Sequence, residues 1–387
     1  MALQGSGAIS FLDLKNEFGG NATNIRLSEY YRNNNLRVKT NDNNENTSIP
    51  SSGQISLNNF YGRRNVQYYR IDTIEGVDDL VQIDIDLYDY VVSHRARTGK
   101  DIGDYTGIGD VVVTIPYSSQ WVAGTSIANP AIVISGFPRS VRLINYGRII
   151  GSGGNGGSNS TGSPGGIAIY TFNNVTIENY GVVAGGGGGG GGGRMQYTNG
   201  PGYDAYSGGG GGAGGGAGGA GGNLGGTPGG IPGSISSVSG GQTGGSNGSN
   251  FNPNGYSLFG RGGLAGGGGG AGSDFGRGVG PGSGSGGGGG YSTSNVTNAA
   301  GGAGQYSSFG GVGSGTAGSA GGNGGSGALT AGAGGGGGYG AAGGIGYARN
   351  EAGSVFSRAG GSGGQATVSS GATITWAVTG ARYGALT

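Results

Sequence analysis

The chain has 387 residues, of which 107 are Gly; only 10% are charged, and the formal net charge is +1. That balance argues against a polyanion such as nucleic acid as a partner. With no Cys and a single His, disulfide staples, thiolate chemistry and a His-rich metal site within one chain are excluded. No apolar run approaches the roughly 18 residues of a membrane span, so no membrane insertion is expected. Asp13, Lys15 and Glu17 stand where a signal peptide keeps an apolar core, which points to assembly in a cytoplasm.

From the N-terminus, Ser6-Gly7-Ala8-Ile9-Ser10-Phe11 is repeated as Ser52-Gly53-Gln54-Ile55-Ser56-Leu57, the pattern S-G-x-I-S-[FL]. Leu12 to Phe18 and Leu27 to Tyr31 read as short helical turns, and the Asn-rich 33–46 as a surface loop. Residues 1–65 are therefore expected to form a small module of their own. Residues 66–184 read as a β-rich connector. Val81, Ile83, Ile85 and Leu87 alternate with polar residues, as in a half-buried strand; 111–115 and 132–134 are further strands.

Val141-Arg142-Leu143-Ile144-Asn145-Tyr146-Gly147 recurs 34 residues on as Val175-Thr176-Ile177-Glu178-Asn179-Tyr180-Gly181. Each copy of V-x-[LI]-x-N-Y-G reads as a strand, a turn and a second strand, then Gly-rich sequence. This predicts stacked β rungs.

The composition changes near residue 150. Residues 1–150 hold 14 Gly and the remainder 93, and the part after 150 has too few large apolar side chains for an ordinary core. Composition alone would favour disorder. Collagen fails, because Gly is contiguous and Pro scarce. The third reading is a bundle of polyproline-II-type Gly helices, which lack internal hydrogen bonds and must bond one another. The spacing of the Gly rods (185–193, 208–222, 262–272, 282–290, 310–325 and 332–346) favours the bundle. The expected fold is thus mainly β plus a polyglycine-II helix bundle, with a Gly-rich sandwich head over 185–387. Ile374, Trp376 and Val378 alternate in a C-terminal strand that closes the structure.

Chemistry is sparse. His94 lacks the surroundings of a triad, and Gly99-Lys100 is not a phosphate loop. Asp84 and Asp86 on one strand face read as solvated carboxylates, with Ca²⁺ or glycoside hydrolysis as lesser readings. No catalytic residue, cofactor or metal is expected. The aromatics of the Gly-rich half collect between rods, among Asn, Ser and Gly, a mixture suited to adaptable binding surfaces. The candidate binding residues are Tyr197, Tyr203, Tyr206, Phe251, Tyr256, Phe259, Tyr291, Tyr306, Phe309 and Tyr347, with Arg194 and Arg261. Tyr339 shares this composition. The bland alternative is that some of these rings plug the ends of the bundle.

The S-G-x-I-S-[FL] module, closed by Asn59-Phe60-Tyr61-Gly62, resembles a short N-terminal module of tailed-phage virion proteins. The N-Y-G repeats running into Gly rods, with aromatic loops between, are similar to phage receptor-binding tail-fibre proteins. They look most like the Gly-rich tip adhesin of T-even-type long tail fibres. The ends Ile374-Thr375-Trp376 and Arg382-Tyr383-Gly384 share that likeness. The resemblance implies a polyglycine-II sandwich whose loops recognise a host surface glycan or outer-membrane protein. It also implies attachment to other phage tail proteins through residues 1–65 and a place in the virion tail after assembly in host cytoplasm. A purely structural spacer and a glycan depolymerase are the rival readings. Oligomeric state stays open between a bundle closed within one chain and a homotrimer.

Overall fold

A computed structural model describes residues 3–18, 26–31, 48–63, 66–71, 81–83, 85–91, 110–116, 121–157, 160–197, 203–207, 209, 211–212, 326–327, 330–331, 334–350 and 355–387. The first part is a module with its own core. Helix α1 (Phe11–Phe18) is followed by two 3₁₀ turns, Leu27–Tyr30 and Leu57–Phe60. Phe18, Tyr30 and Phe60 are buried and pack edge to face, with centroids 6.0–6.4 Å apart; Leu3, Ile9, Leu14 and Ile49 complete the cluster.

The S-G-x-I-S repeat has a structural meaning. Ser10 N–H donates to Asp13 Oδ2 at 2.8 Å, and Asp13 N–H returns a bond to Ser10 Oγ at 3.1 Å. Ser56 and Asn59 form the same reciprocal cap one copy later. Gly7 and Gly53 both adopt positive φ, +100° and +83°, which Gly reaches without a Cβ penalty. The Tyr61 hydroxyl donates to Gly7 O and the Tyr31 hydroxyl to Gly53 O.

The middle of the chain is a three-sided parallel β-solenoid. Its first turn is β1 (Val66–Arg70), β2 (Val81–Ile83) and β3 (Ile85–Asp86); the second is β4 (Asp110–Ile115), β5 (Trp121–Ala123) and β6 (Ile132–Ile134). The third is β7 (Val141–Asn145), β8 (Arg148–Ile150) and β9 (Ile169–Thr171), and the fourth opens with β10 (Val175–Asn179) and β11 (Val182–Ala184). The chain then enters the Gly-rich region. There it forms β12 (Gly193–Tyr197), β13 (Tyr203–Ser207), β14 (Ser326–Gly327), β15 (Thr330–Ala331), β16 (Gly346–Asn350) and β17 (Val355–Arg358). It returns as β18 (Thr367–Ser369), β19 (Ile374–Val378) and β20 (Ala381–Tyr383).

The three solenoid sheets run β1-β4-β7-β10-β19, β2-β5-β8-β11-β20 and β18-β9-β6-β3, all parallel. Residues 367–387, grouped by sequence with the head, thus pair with the β stack. Val175 lies over Val141 and Ile177 over Leu143, and these inward positions join one core with Val111, Val113 and Ile115. The last turn is an edge, so its inward side chains are half-buried; Arg382 lies over the Trp376 ring at 4.8 Å and covers that end.

The alternation at 81–87 is not one strand. Strand β2 pairs β5 and strand β3 pairs β6, in different sheets, and a helical turn begins at Leu87. Asp86 accepts bonds from the N–H groups of Tyr88 and Asp89 at 3.0 and 3.1 Å, and so caps that turn. One corner grows along the stack. It falls between β2 and β3 in the first turn, between β5 and β6 in the second, between β8 and β9 in the third and between β11 and β18 in the fourth. The head is an insertion at one corner of the solenoid.

In the head, residues 185–192 are fully buried and bonded on several sides with a three-residue period. Gly151, Gly154 and Gly157 donate to the carbonyls of Ala184, Gly187 and Gly190. Gly186, Gly189 and Gly192 donate to Gly166, Ser163 and Ser160. Gly334, Gly337 and Gly340 donate to Gly191, Gly188 and Gly185, while Gly361 and Gly364 donate to Gly189 and Gly186. Gly188 and Gly191 donate to Ala341 and Gly344. All these bonds measure 2.7–2.9 Å. Residues 209 and 211–212 bond 154–157 and also lie against the central stretch, since a Cβ on Gly209 would fall 2.0 Å from Gly190 O. Backbones this close leave room only for hydrogen at the Cα; a Cβ on Gly186 would sit 1.7 Å from Ser152 O.

Candidate binding surface

Five of the candidate residues fall in one sheet, β13-β12-β16-β17. The central stretch 185–192 leaves the solenoid at β11 and runs straight into β12, so this sheet lies at the end of the Gly stretches away from the solenoid. In the antiparallel hairpin β12–β13, Arg194 stands opposite Tyr206 and Tyr197 opposite Tyr203. Strand β16 joins in parallel, with Arg194 beside Ala348. Tyr347 lies on β16 opposite Ser357 of β17 and is half-buried.

Phe356, which sequence reasoning left out, is 55% exposed on β17 of the same sheet. Its signal was available in the segment Tyr347 to Phe356, aromatic at both ends. Phe251, Tyr256, Phe259, Arg261, Tyr291, Tyr306 and Phe309 lie outside the described residues, as do His94 and Asp84.

Tyr339 departs from the loop reading. It is buried, and Gly340 beside it bonds Gly185 where the head meets the solenoid. Its ring is therefore not a surface ring.

A second set of exposed rings lies on the solenoid. Tyr146 and Tyr180, the tyrosines of the two N-Y-G copies, stack with centroids 4.9 Å apart and planes within 10°. Arg142 Nε donates to Glu178 Oε1 at 2.7 Å beside them. Burial raises the Tyr180 phenol pKa above its usual value, and the nearby Glu178 charge adds to the shift. The sequence reading took these tyrosines only as turn residues.

Among the described residues no group of three or more His, Cys, Asp or Glu is placed to hold a metal ion. Among them, too, no helix is long and apolar enough to cross a membrane.

The family model described as phage tail fibre adhesin Gp38 matches residues 82–280. A solved structure, the gp37-gp38 adhesin tip complex of the bacteriophage S16 long tail fiber, is 21% identical over 100% of both chains, with a TM-score of 0.39. No curated protein matches the chain.

Proposed function

The chain belongs to the phage tail fibre adhesin Gp38 family, and from that premise we propose that it binds the bacterial host surface through the sheet and loops at the far end of its Gly-rich head. As a tail-fibre adhesin it is a component of the virion tail. The observation that carries the finer reading is the placement of Arg194 opposite Tyr206 and of Tyr197 opposite Tyr203 in one hairpin at the end of the central Gly stretch. Tyr supplies contact area at low entropic cost, and the surrounding Ser, Asn and Gly adapt to a partner.

The Gly stretches are polyglycine-II helices in this reading. Support comes from the three-residue period of their hydrogen bonds, since such a helix has three residues per turn. At about 3.1 Å rise per residue, 185–192 holds the hairpin roughly 25 Å from the solenoid. Residues 1–65 attach the chain to other tail-fibre proteins, the solenoid connects, and 185–366 forms the head. Several copies on one particle turn weak contacts into firm attachment.

The test uses the full chain, labelled and titrated onto permissive host cells. Saturable binding is expected, and the folded variant Tyr197→Ala/Tyr203→Ala should lose most of it. Equal binding by that variant would remove the hairpin from the site. No binding by the folded wild type would favour a rigid spacer, with recognition carried by another protein.

A further inference from the structure

The N-Y-G corner of the solenoid carries an aromatic column that ends abruptly. Tyr146 and Tyr180 are 44% and 53% exposed although they stack on each other. The next turn adds no third ring. Val378 pairs with Glu178 and Ala381 with Val182, so only Thr379 and Gly380 stand where Asn179, Tyr180 and Gly181 stand below. The column therefore stops at Tyr180 with no aromatic of the following turn over it.

Beside the rings, Arg142 and Glu178 form a pair. Arg142 Nε and Nη2 reach Glu178 Oε1 at 2.7 and 2.5 Å. Among the described residues, Glu178 Oε2 receives only the Tyr180 hydroxyl, at 3.5 Å, which is too long for a firm bond. A flat ring platform thus sits beside a carboxylate oxygen with accepting capacity left and a guanidinium with N–H groups left. The pair is neutral overall, so it favours no charged ligand.

We infer that Tyr180, backed by Tyr146 and flanked by Arg142 and Glu178, is a platform for a neutral hexopyranose unit of an oligosaccharide, separate from the head. The apolar C–H face of the sugar lies on the Tyr180 ring. Its hydroxyls donate to Glu178 Oε2 and accept from Arg142. A carboxylate flanking an aromatic face suits vicinal hydroxyls, whereas an apolar peptide would leave Oε2 unused and partly desolvated. The surface lies on the solenoid, so its failure and that of the hairpin site are distinguishable.

The experiment is saturation-transfer NMR on the full chain with maltohexaose, cellohexaose and mannohexaose as probes. At least one should receive saturation at its ring C–H protons. Tyr180→Ala should weaken the signal roughly tenfold, as expected for a lost stacking platform, and Tyr180→Phe should keep most of it. Glu178→Gln, nearly isosteric, should weaken binding without disturbing the fold. Absence of transfer from all three sugars, or undiminished transfer in Tyr180→Ala and Glu178→Gln, overturns the inference.

Discussion

Asn145 Nδ2 donates to Asn179 Oδ1 at 2.8 Å, one turn of the solenoid above the other, with both side chains fully buried. Asn145 Nδ2 also reaches Val182 O at 3.1 Å. Asn179 Nδ2 passes the ladder on, donating to Thr379 O and Ala381 O at 3.2 and 3.0 Å. Two amides thus link three successive turns, donating to corner carbonyls of the two above. This is the physical content of the N-Y-G repeat.

Replacing Asn179 by Ala should leave Asn145 Nδ2 with Val182 O alone and take the side-chain donor away from the carbonyls of Thr379 and Ala381. Buried groups left without partners cost about 1–3 kcal/mol each, so the variant should unfold at markedly lower denaturant. A midpoint equal to wild type would show that the ladder contributes nothing to stability.

The 34-residue offset of the two N-Y-G copies read directly as stacked rungs, because two asparagines and two tyrosines keep one pattern. The other turns were hidden. Strands β1 to β6 form two turns without the N-Y-G pattern. The last turn, 374–383, carries a bulge at Ala377 between the partners of Ile177 and Glu178 and a shortened corner, so its repeat is out of step. Gly density found the central stretch 185–192 but passed over 151–157 and 160–166, which are mixed with Ser, Asn and Thr. The readable signal there was spacing, Gly151, Gly154 and Gly157 at intervals of three. Alternation at 81–87 misled, since a solenoid corner can fall inside an apolar-polar pattern. Of the candidate site, Arg194, Tyr197, Tyr203, Tyr206 and Tyr347 share one sheet, while the buried Tyr339 shows that composition alone does not separate a buried ring from a surface ring.

Gly189 tests the close packing of the head. A Cβ there would lie 2.0 Å from Asn155 O and 2.3 Å from Asn155 C, and backbone there cannot yield as a flexible side chain would. Gly189→Ala should cost at least about 1–3 kcal/mol, the usual range for overpacking. Ala342→Ser, at an exposed position of the same bundle, should be close to neutral. Hydrogen exchange at the 185–192 amides would report both; equal protection in the two variants would contradict the packing described.

Arg139 ties the N-terminal module to the solenoid. Its Nη1 lies 3.1 Å from Glu17 Oε2, and its Nη2 donates to Asn16 O at 2.6 Å. The Glu17 side chain is only 4% exposed, so Arg139→Ala takes an ion pair away from a buried carboxylate. We expect a loss of several kcal/mol at neutral pH, on the order of 3, and faster proteolysis of the module. Unchanged proteolysis would mean that the contact does not hold the module in place.

Acid should loosen the cap of α1. Hydrogen bonds from the Ser10 side chain and backbone hold the Asp13 carboxyl below its ordinary value of 3.8. A carboxylate lowered in the folded state stabilises it above the unfolded pKa, and that stabilisation is lost as pH falls through the folded pKa. Asp13→Asn should therefore flatten the acid limb of the module's stability curve below about pH 4 relative to wild type. An identical acid limb in both proteins would show that the cap has no charge dependence.

The isolated segment 185–387 should not fold as the head. It lacks 151–157 and 160–166, which bond the central Gly stretch on two sides, and it lacks β10 and β11, on which β19 and β20 pair. Circular dichroism of that segment should show no cooperative unfolding transition. A sharp transition like that of the full chain would mean that the head is independent of the solenoid corner from which it grows.

The most direct test of the adhesin reading is competition for adsorption. Permissive host cells are preincubated with excess purified full-length chain, and free phage is counted after challenge with the phage that carries it. The account predicts that wild-type chain blocks adsorption in a saturable manner and that folded Tyr197→Ala/Tyr203→Ala chain does not. Full adsorption in the presence of saturating, folded wild-type chain would contradict it.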